Sequence, residues 1–209
     1  MPTQAERRAA TRSTLLDAAA EVLVERGLAG FTTTAVTDRA GVSNGALFRH
    51  FPTRLDLVAA TVEDVLVRLR TTYETTFGDL PDRPDVETVL DLLWSAMSDV
   101  QFGAVLEVYT QARTDTDLLA AIHPIVTEHG EYVNALTTRV AASLSRDDGT
   151  DPAPLAGLGS LAILAMQGLV VGQMAGASAG YEHDLLIGLR ALIDAAGGTP
   201  AADRPGARA

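Results

Sequence analysis

The stretch Phe31–Phe51, FTTTAVTDRAGVSNGALFRHF, decides the fold expected of this chain. Its pattern predicts two short helices joined by a tight turn. Thr32 and Ser43 can each cap a helix, because their hydroxyl oxygens can accept from its first free backbone N–H groups. Gly41 suits the turn, since it can adopt positive φ without a Cβ clash. The apolar residues that would pack these helices together are Val36, Ala40, Val42 and Leu47.

The second short helix leaves Asn44, Gly45, Ala46 and Arg49 on its outer face. Small side chains permit close approach to a surface, an amide can pair with adenine, and a guanidinium can bind guanine. A recognition helix in the DNA major groove needs a face of this kind. The stretch therefore predicts a helix-turn-helix that binds double-stranded DNA.

Helical spacing of apolar residues continues on both sides of this stretch, and almost no strand pattern is present, so the sequence predicts an all-α protein. Gly27 is expected to stop the first helix. We expect a DNA-binding domain at 1–55, a larger ligand-binding and dimerisation domain at 56–196, and a disordered tail at 197–209. The expected later helices cover about 54–77, 85–99, 102–113, 116–145, 153–176 and 181–196.

The composition of the 209 residues excludes several classes of protein. With no cysteine, the chain has neither a disulfide scaffold nor a thiolate metal site nor a cysteine nucleophile. The charged start does not resemble a secretory signal, so a cytoplasmic location is expected. The net charge of −11 is unevenly spread, because residues 1–55 hold seven arginines against five carboxylates. Local charge governs phosphate affinity, which keeps DNA as a partner.

Residues 11–58 resemble the TetR family of bacterial transcriptional regulators. The resemblance rests on many fixed offsets: Gly27, Phe31-Thr32-Thr33, Val36, Ala40-Gly41-Val42-Ser43, Gly45, Leu47-Phe48, His50-Phe51 and Leu57. It implies a ligand-responsive regulator, in most cases a repressor, that binds a palindromic operator as a homodimer. Three positions depart from the family pattern: Phe48 stands where Tyr is usual, Thr37 where Ala is usual, and Arg54 where Lys is common.

The resemblance also implies roles for individual residues in DNA binding. Thr32 and Thr33 would anchor phosphates at a helix N-terminus, and His50 and Arg54 would be further backbone contacts. Asn44, Ala46 and Arg49 would face bases, Gly45 would permit close approach, and Ser43 and Phe48 complete the predicted interface. The alternative is that Thr32 and Ser43 are only caps. Arg7, Arg8 and Arg12 would form a basic arm along the DNA, or else a frayed terminus.

Thirty uncharged residues, 152–181, form the second informative stretch. Their length would admit a membrane helix, but Gln167, Gln173 and six glycines, without flanking basic clusters, favour a buried helix of a soluble bundle. Glycines at four-residue intervals let another helix approach closely. The resemblance places the dimer interface here. The expected interface residues are Leu161, Leu164, Gly168, Leu169, Gly172 and Gly176.

The sequence also predicts an effector cavity in the larger domain. Trp94, Met97, Phe102, Leu106 and Tyr109 would line it, with His123 and Gln167 as polar groups, although ordinary core explains each equally well. We expect neither a cofactor nor a metal site. An all-helical enzyme and a sensor without DNA binding are the alternatives. The first lacks any phosphate-binding loop, serine elbow or paired-carboxylate motif, and the face from Asn44 to Arg49 argues against the second.

Overall fold

The computed structural model describes residues 3–78, 84–144, 152–177 and 180–196. Within these ranges the chain is helical and contains no strand, which confirms the predicted all-α class. The predicted disordered tail, 197–209, lies outside these ranges. The helices are α1 Gln4–Gly30, α2 Thr33–Ala40, α3 Asn44–His50, α4 Arg54–Gly78, α5 Val86–Met97, α6 Val100–Ala112, α7 Thr116–Leu144, α8 Ala153–Met174 and α9 Gly180–Ala196.

Local side-chain caps fix where several helices begin. At the start of α1 the Thr3 hydroxyl accepts from the Glu6 N–H at 3.2 Å, and the Glu6 carboxylate accepts from the Thr3 N–H at 2.6 Å. Thr53 and Asp56 repeat the exchange at the start of α4, at 3.0 and 2.9 Å. Both pairs satisfy backbone donors that a helix terminus leaves free.

The backbone conformation of Gly27 confirms the predicted break in the first helix, but Gly27 is not the last residue of α1. Gly27 adopts φ +62 and ψ −179, which interrupts the helix, and a further helical turn then continues to Gly30. This combination of angles is open essentially to glycine alone. The residue after it, Leu28, turns inward and is buried.

The chain divides into two packing units, one comprising residues 1–74 and 98–131 and the other 75–97 and 132–209. In the first unit, α1, α2 and α3 pack around Leu15, Val36 and Leu47, and α6 packs against α1. Helix α6 and the start of α7 therefore share a core with the helix-turn-helix. The boundaries between the two packing units differ from the predicted domain boundary at residue 55. The predicted boundary concerns functional domains and stays a prediction.

In the second unit α8 packs on α9, and α5 packs on both. The buried face of α8 includes Leu155, Ile163 and Met166, whereas Leu161 and Leu164 are exposed. By length and mean hydropathy of 1.8, α8 could cross a bilayer. Core helices of water-soluble proteins have the same properties.

Candidate nucleic-acid interface

Helix α3 is fixed to the first packing unit by its inner side. Leu47 is fully buried, and Phe51 at the helix end is almost so. The Ser43 hydroxyl accepts from the Ala46 N–H at 3.2 Å, which confirms the cap. Gly41 adopts φ +66 in the turn from α2, as predicted. The short helix is thus held by its turn, its cap and one buried side.

The opposite side of α3 faces outward. Asn44, Gly45, Phe48 and Arg49 are exposed, and Ala46 and His50 are half-buried. Apart from its chain neighbours and its own helix backbone, the Ser43 hydroxyl is the one group of the described residues within 4 Å of the Cβ position at Gly45, so the surface in front of this residue is open. The face carries the amide and the guanidinium that the sequence predicted there, with small residues between them.

Thr37 accounts for one departure from the family pattern. Its side chain is buried, and its hydroxyl donates to the Thr34 carbonyl oxygen at 3.1 Å. The hydroxyl oxygen also lies 3.4 Å from Asn44 Oδ1. The extra hydroxyl is therefore satisfied inside the helix-turn-helix domain, and it lies beside the amide oxygen of the predicted adenine-reading side chain.

The two threonines at the start of α2 have different environments. Thr32 is the N-cap, and its hydroxyl accepts from the Ala35 N–H at 3.1 Å while the residue remains exposed. Thr33, the first helical residue, is half-buried. An exposed cap at a helix N-terminus is compatible with both interpretations of Thr32, as a cap and as a phosphate anchor.

Arg54 makes contacts that the sequence did not predict. Its Nε donates to the Phe31 carbonyl oxygen and its Nη2 to that of Leu28, each at 2.7 Å. Its guanidinium also lies over the Phe31 ring, 5.9 Å from the centroid. Arg54 thus ties the start of α4 to the connection between α1 and α2. Its phosphate contact stays a prediction.

Glu107 of α6 holds the same connection from another side. Its Oε1 accepts from the Leu28 N–H at 2.8 Å. A Cβ on Gly27 would lie only 2.7 Å from that oxygen. The positive φ of Gly27 interrupts α1 and leaves the Leu28 N–H free to donate to the Glu107 carboxylate of α6. The break in α1 and this hydrogen bond therefore depend on each other.

Three acidic side chains of α1 are paired with arginines of other helices. Arg39 of α2 pairs with Glu21 at 2.7 Å and with Glu25, and the hydrogen bond from Arg39 lowers the pKa of Glu25. Arg68 pairs with Asp17. These pairs are exposed and add little stability, but they cancel negative charge on the head.

The N-terminal arginines belong to a helix and not to a frayed terminus, and their contact with DNA stays a prediction. Arg7, Arg8 and Arg12 lie within α1, because the Thr3–Glu6 cap starts the helix ahead of them. Gln4, Arg7, Arg8 and Thr11 line one side of an open cleft of about 510 Å³, and Ala46, Arg49 and His50 of α3 line the other. The Arg12 guanidinium lies 5.5 Å from the centroid of the Phe51 ring.

Comparison with known proteins identifies the family of this helix-turn-helix domain. Residues 15–61 match the family model for bacterial regulatory proteins of the tetR family. An uncharacterized HTH-type transcriptional regulator of Mycobacterium bovis is 32% identical over 151 residues, which are 72% of this chain and 77% of that protein. CymR of Pseudomonas putida, an HTH-type transcriptional regulator, is 36% identical over 152 residues, 71% of this chain and 75% of CymR. The chain belongs to the TetR family.

A solved structure agrees in fold with this TetR-family chain. A TetR-family transcriptional regulator from Mesorhizobium loti superposes with a TM-score of 0.68 at 17% identity, covering 91% of this chain and 96% of that one. The chain is a transcriptional regulator of the helix-turn-helix type.

The predicted effector residues of this TetR-family regulator are divided between the packing units. Trp94, Met97 and Gln167 belong to the second unit, and Phe102, Leu106, Tyr109 and His123 to the first. Met97, Phe102 and Leu106 are buried, Trp94, Tyr109 and Gln167 are half-buried, and His123 is exposed. His123 is therefore unsuited to the polar role predicted for it within a cavity.

A small apolar cavity of about 50 Å³ lies within the second unit, among α5, α7, α8, α9 and the last turn of α4. None of the seven predicted effector residues lines it. Its lining includes Leu90, Leu93, Val140 and Ile163, and its hydroxyl group belongs to Thr137, which donates to the Asn134 carbonyl oxygen at 2.9 Å. The sequence missed this cavity, because four separate helices contribute ordinary aliphatic residues to it.

Two titratable groups of the first unit have shifted pKa values. His129 of α7 is 7% exposed, and burial together with the charge of Arg70 lowers its pKa to about 4. Burial raises the pKa of Tyr109 on α6 to about 12. Both side chains are therefore neutral near pH 7. In the part of the chain that the structure describes, no three His, Asp or Glu residues are grouped to hold a metal ion.

The predicted interface residues on α8 differ in their surroundings. Leu161 and Leu164 are exposed, with Gly168 open on the same side. A Cβ on Gly172 would lie 3.5 Å from the Ala177 Cβ of the chain's own following turn. Gly176 lies beyond the end of α8 and adopts φ +88. The expected four-residue glycine stripe is therefore wrong at Gly176, which shapes the turn instead.

Proposed function

We propose that this TetR-family regulator is a cytoplasmic homodimeric repressor that binds a palindromic operator through α3. The observation that carries this proposal is the outer face of α3, where exposed Asn44, Gly45 and Arg49 lie opposite the fully buried Leu47. A rigid inner side and an open outer side let such a helix enter the major groove. Two heads related by two-fold symmetry would read the two halves of the operator.

The exposed apolar side of α8 supports dimerisation. Leu161, Leu164, Gly168 and Val171 follow helical spacing along one face, and the three larger side chains are 49%, 64% and 42% exposed. In α9, Tyr181, Ile187 and Leu192 are more than half exposed as well. Contiguous apolar surface of this kind marks interaction sites in soluble proteins. In our proposal a second copy covers α8 and α9, and Leu169 and Gly172 lie at the edge of the interface.

The apolar cavity in the second unit is the proposed effector site. At about 50 Å³ it is far smaller than the roughly 300–1,000 Å³ of ligand pockets, so an effector must enlarge it. Because the lining is almost entirely apolar, the effector is a small, largely apolar molecule. Helix α4 contributes residues 54–74 to the first unit and 75–78 to the second, so it joins the cavity to the head.

In the proposed mechanism, effector binding moves α4 and thereby changes the spacing of the two heads. The effector must bind the released state more tightly than the DNA-bound state, because equal affinities would shift nothing. We assign the chain no catalytic activity, no cofactor and no membrane-spanning role. The description of its relatives as transcriptional regulators supports that assignment.

Selection of bound sequences from a random DNA pool tests the proposed function. We expect an enriched palindrome with half-sites about one helical turn apart. Arg49→Ala should cost roughly 1–3 kcal/mol per half-site and relax the preference at one base position. Arg26→Ala is the matched control, since it removes the same charge from an exposed position of α1. Absence of any enriched sequence, or equal losses for both variants, would contradict the proposal.

A further inference from the structure

The Thr37 hydroxyl links the two short helices of the helix-turn-helix through side chains. Thr37 of α2 is 3% exposed, and its Oγ1 lies 3.1 Å from the Thr34 carbonyl oxygen. The same Oγ1 lies 3.4 Å from Oδ1 of Asn44, the first residue of α3. Asn44 is exposed, so its amide connects a buried hydroxyl with the outer face of α3.

The backbone of the turn holds Thr37 beside the start of α3. The Thr37 carbonyl oxygen accepts from the Gly41 N–H, and it also accepts from the Val42 N–H at 3.1 Å. On α3, Leu47 is fully buried. Because the turn fixes one backbone and the buried leucine fixes the other, the hydroxyl and the Asn44 amide stay close to each other.

The single hydrogen of the Thr37 hydroxyl decides which end of the Asn44 amide can face it. Threonine in a helix commonly donates to a carbonyl oxygen three or four residues earlier. The Thr34 carbonyl oxygen is also the nearer of the two acceptors. With the hydrogen donated to Thr34, only lone pairs of Oγ1 are directed at Asn44. An amide oxygen there faces a second acceptor, whereas an amide nitrogen can donate to it.

A half-turn about χ2 of Asn44 places the nitrogen at this position, because the two ends of an amide have nearly the same shape. Nδ2 then donates one of its two hydrogens to Thr37 Oγ1, and Thr37 donates to the Thr34 carbonyl oxygen. The second Nδ2 hydrogen and Oδ1 lie together on the other edge of the amide. That edge presents a donor beside an acceptor, which matches N7 and the N6 amino group of adenine.

We propose that Thr37 is a positioning residue that holds the Asn44 amide in the orientation that binds adenine and rejects guanine. The inference rests on the proposed DNA-binding function and gives a buried side chain a role in base discrimination. Guanine presents acceptors at both O6 and N7. Asn44 would therefore have to turn Nδ2 toward O6, and this would return Oδ1 to the lone pairs of Thr37.

The test compares operators that differ only at the base that Asn44 contacts, with the full-length protein. Asn44→Ala identifies this base, because it should remove the adenine preference there in selection from a random DNA pool. Thr37→Val keeps the shape of the buried side chain but removes the hydroxyl, so the amide can turn. The ratio of affinities for adenine and guanine operators should then fall by about 2- to 12-fold for a substitution in one half-site, which corresponds to one hydrogen bond.

Two comparisons separate this role from a general effect on packing. Thr37→Ser keeps the hydroxyl and should retain the wild-type ratio of affinities. In an Asn44→Ala background, Thr37→Val should not change the ratio further, since no amide remains to be oriented. Circular dichroism checks that each variant keeps its helix content. Equal losses of affinity for the adenine and guanine operators in Thr37→Val would show a packing role alone and overturn the inference.

The inference and the proposed function fail in different ways. If Asn44→Ala changes one base preference but Thr37→Val keeps the wild-type ratio, Thr37 does not hold the amide and the proposed function stands. If Asn44→Ala changes no base preference, or identifies a position that prefers a base other than adenine, the orientation assigned to the amide is wrong. If wild type selects no DNA sequence, the proposed function itself fails.

Discussion

Replacement of Gly27 by alanine tests how the break in α1 depends on α6. The positive φ of Gly27 strains any other residue by about 1–3 kcal/mol. The new Cβ would also lie 2.7 Å from Glu107 Oε1, so the carboxylate must move away from the Leu28 N–H. Loss of a hydrogen bond to a charged acceptor costs about 1.5–3 kcal/mol. Gly27→Ala should therefore lower the free energy of unfolding by roughly 2.5–6 kcal/mol.

A double-mutant cycle makes this reasoning quantitative. Glu107→Ala alone should cost about 1.5–3 kcal/mol, and Glu107→Gln less, because the amide keeps an acceptor oxygen. In Gly27→Ala that hydrogen bond is already lost, so addition of Glu107→Ala should cost almost nothing further. The two effects should therefore fall short of additivity by about 1.5–3 kcal/mol.

Urea unfolding followed by circular dichroism measures these free energies, at one protein concentration because subunit association contributes to stability. Gly130→Ala is the control, since no other described residue beyond its chain neighbours and its own helix backbone has an atom within 4 Å of the Cβ position at this glycine of α7. It should be neutral or slightly stabilising. Full additivity of Gly27→Ala and Glu107→Ala, or a neutral Gly27→Ala, would refute the proposed coupling.

Three further predictions concern other parts of the chain. In the folded protein His129 stays neutral down to about pH 4, whereas in the unfolded chain it is protonated below about pH 6.5. The free energy of unfolding should therefore fall by up to about 3 kcal/mol as the pH is lowered from about 6.5 to about 4. His129→Leu should remove this fall in acid denaturation curves. Leu164→Arg should place charge in the proposed interface and give monomers in sedimentation experiments, whereas the equally exposed Val100→Arg should not. Arg54→Ala should lower stability by about 1–3 kcal/mol in urea, since it removes two hydrogen bonds to carbonyl oxygens, and an unchanged midpoint would contradict this role.

The sequence was sufficient to predict the helices and the helix-turn-helix, because both depend on local patterns. Caps at Thr32 and Ser43, positive φ at Gly41 and the burial of Leu47 all involve residues close together in the chain. The start of α1 is also determined locally, since Thr3 and Glu6 have the spacing of a capping box.

The remaining features could not be predicted because they join distant positions. Leu28 and Glu107 are 79 residues apart, and no local pattern pairs a backbone N–H with a particular carboxylate. Arg54 has the charge of a phosphate contact, yet its hydrogen bonds in the structure are to carbonyl oxygens 23 and 26 residues earlier. Gly176 fits the spacing of a helix face, but α8 ends at Met174, and a helix terminus depends on the turn that follows.

The discontinuous first packing unit has a consequence for protein engineering. A chimera that joins residues 1–55 to the body of another regulator would carry Gly27 and Leu28 but leave Glu107 behind. The Leu28 N–H would then need an acceptor from the foreign α6. To exchange operator specificity in this regulator, the inward face of α6 must be transplanted together with residues 1–55. The alternative is to graft only the outer residues of α3 onto an otherwise intact chain.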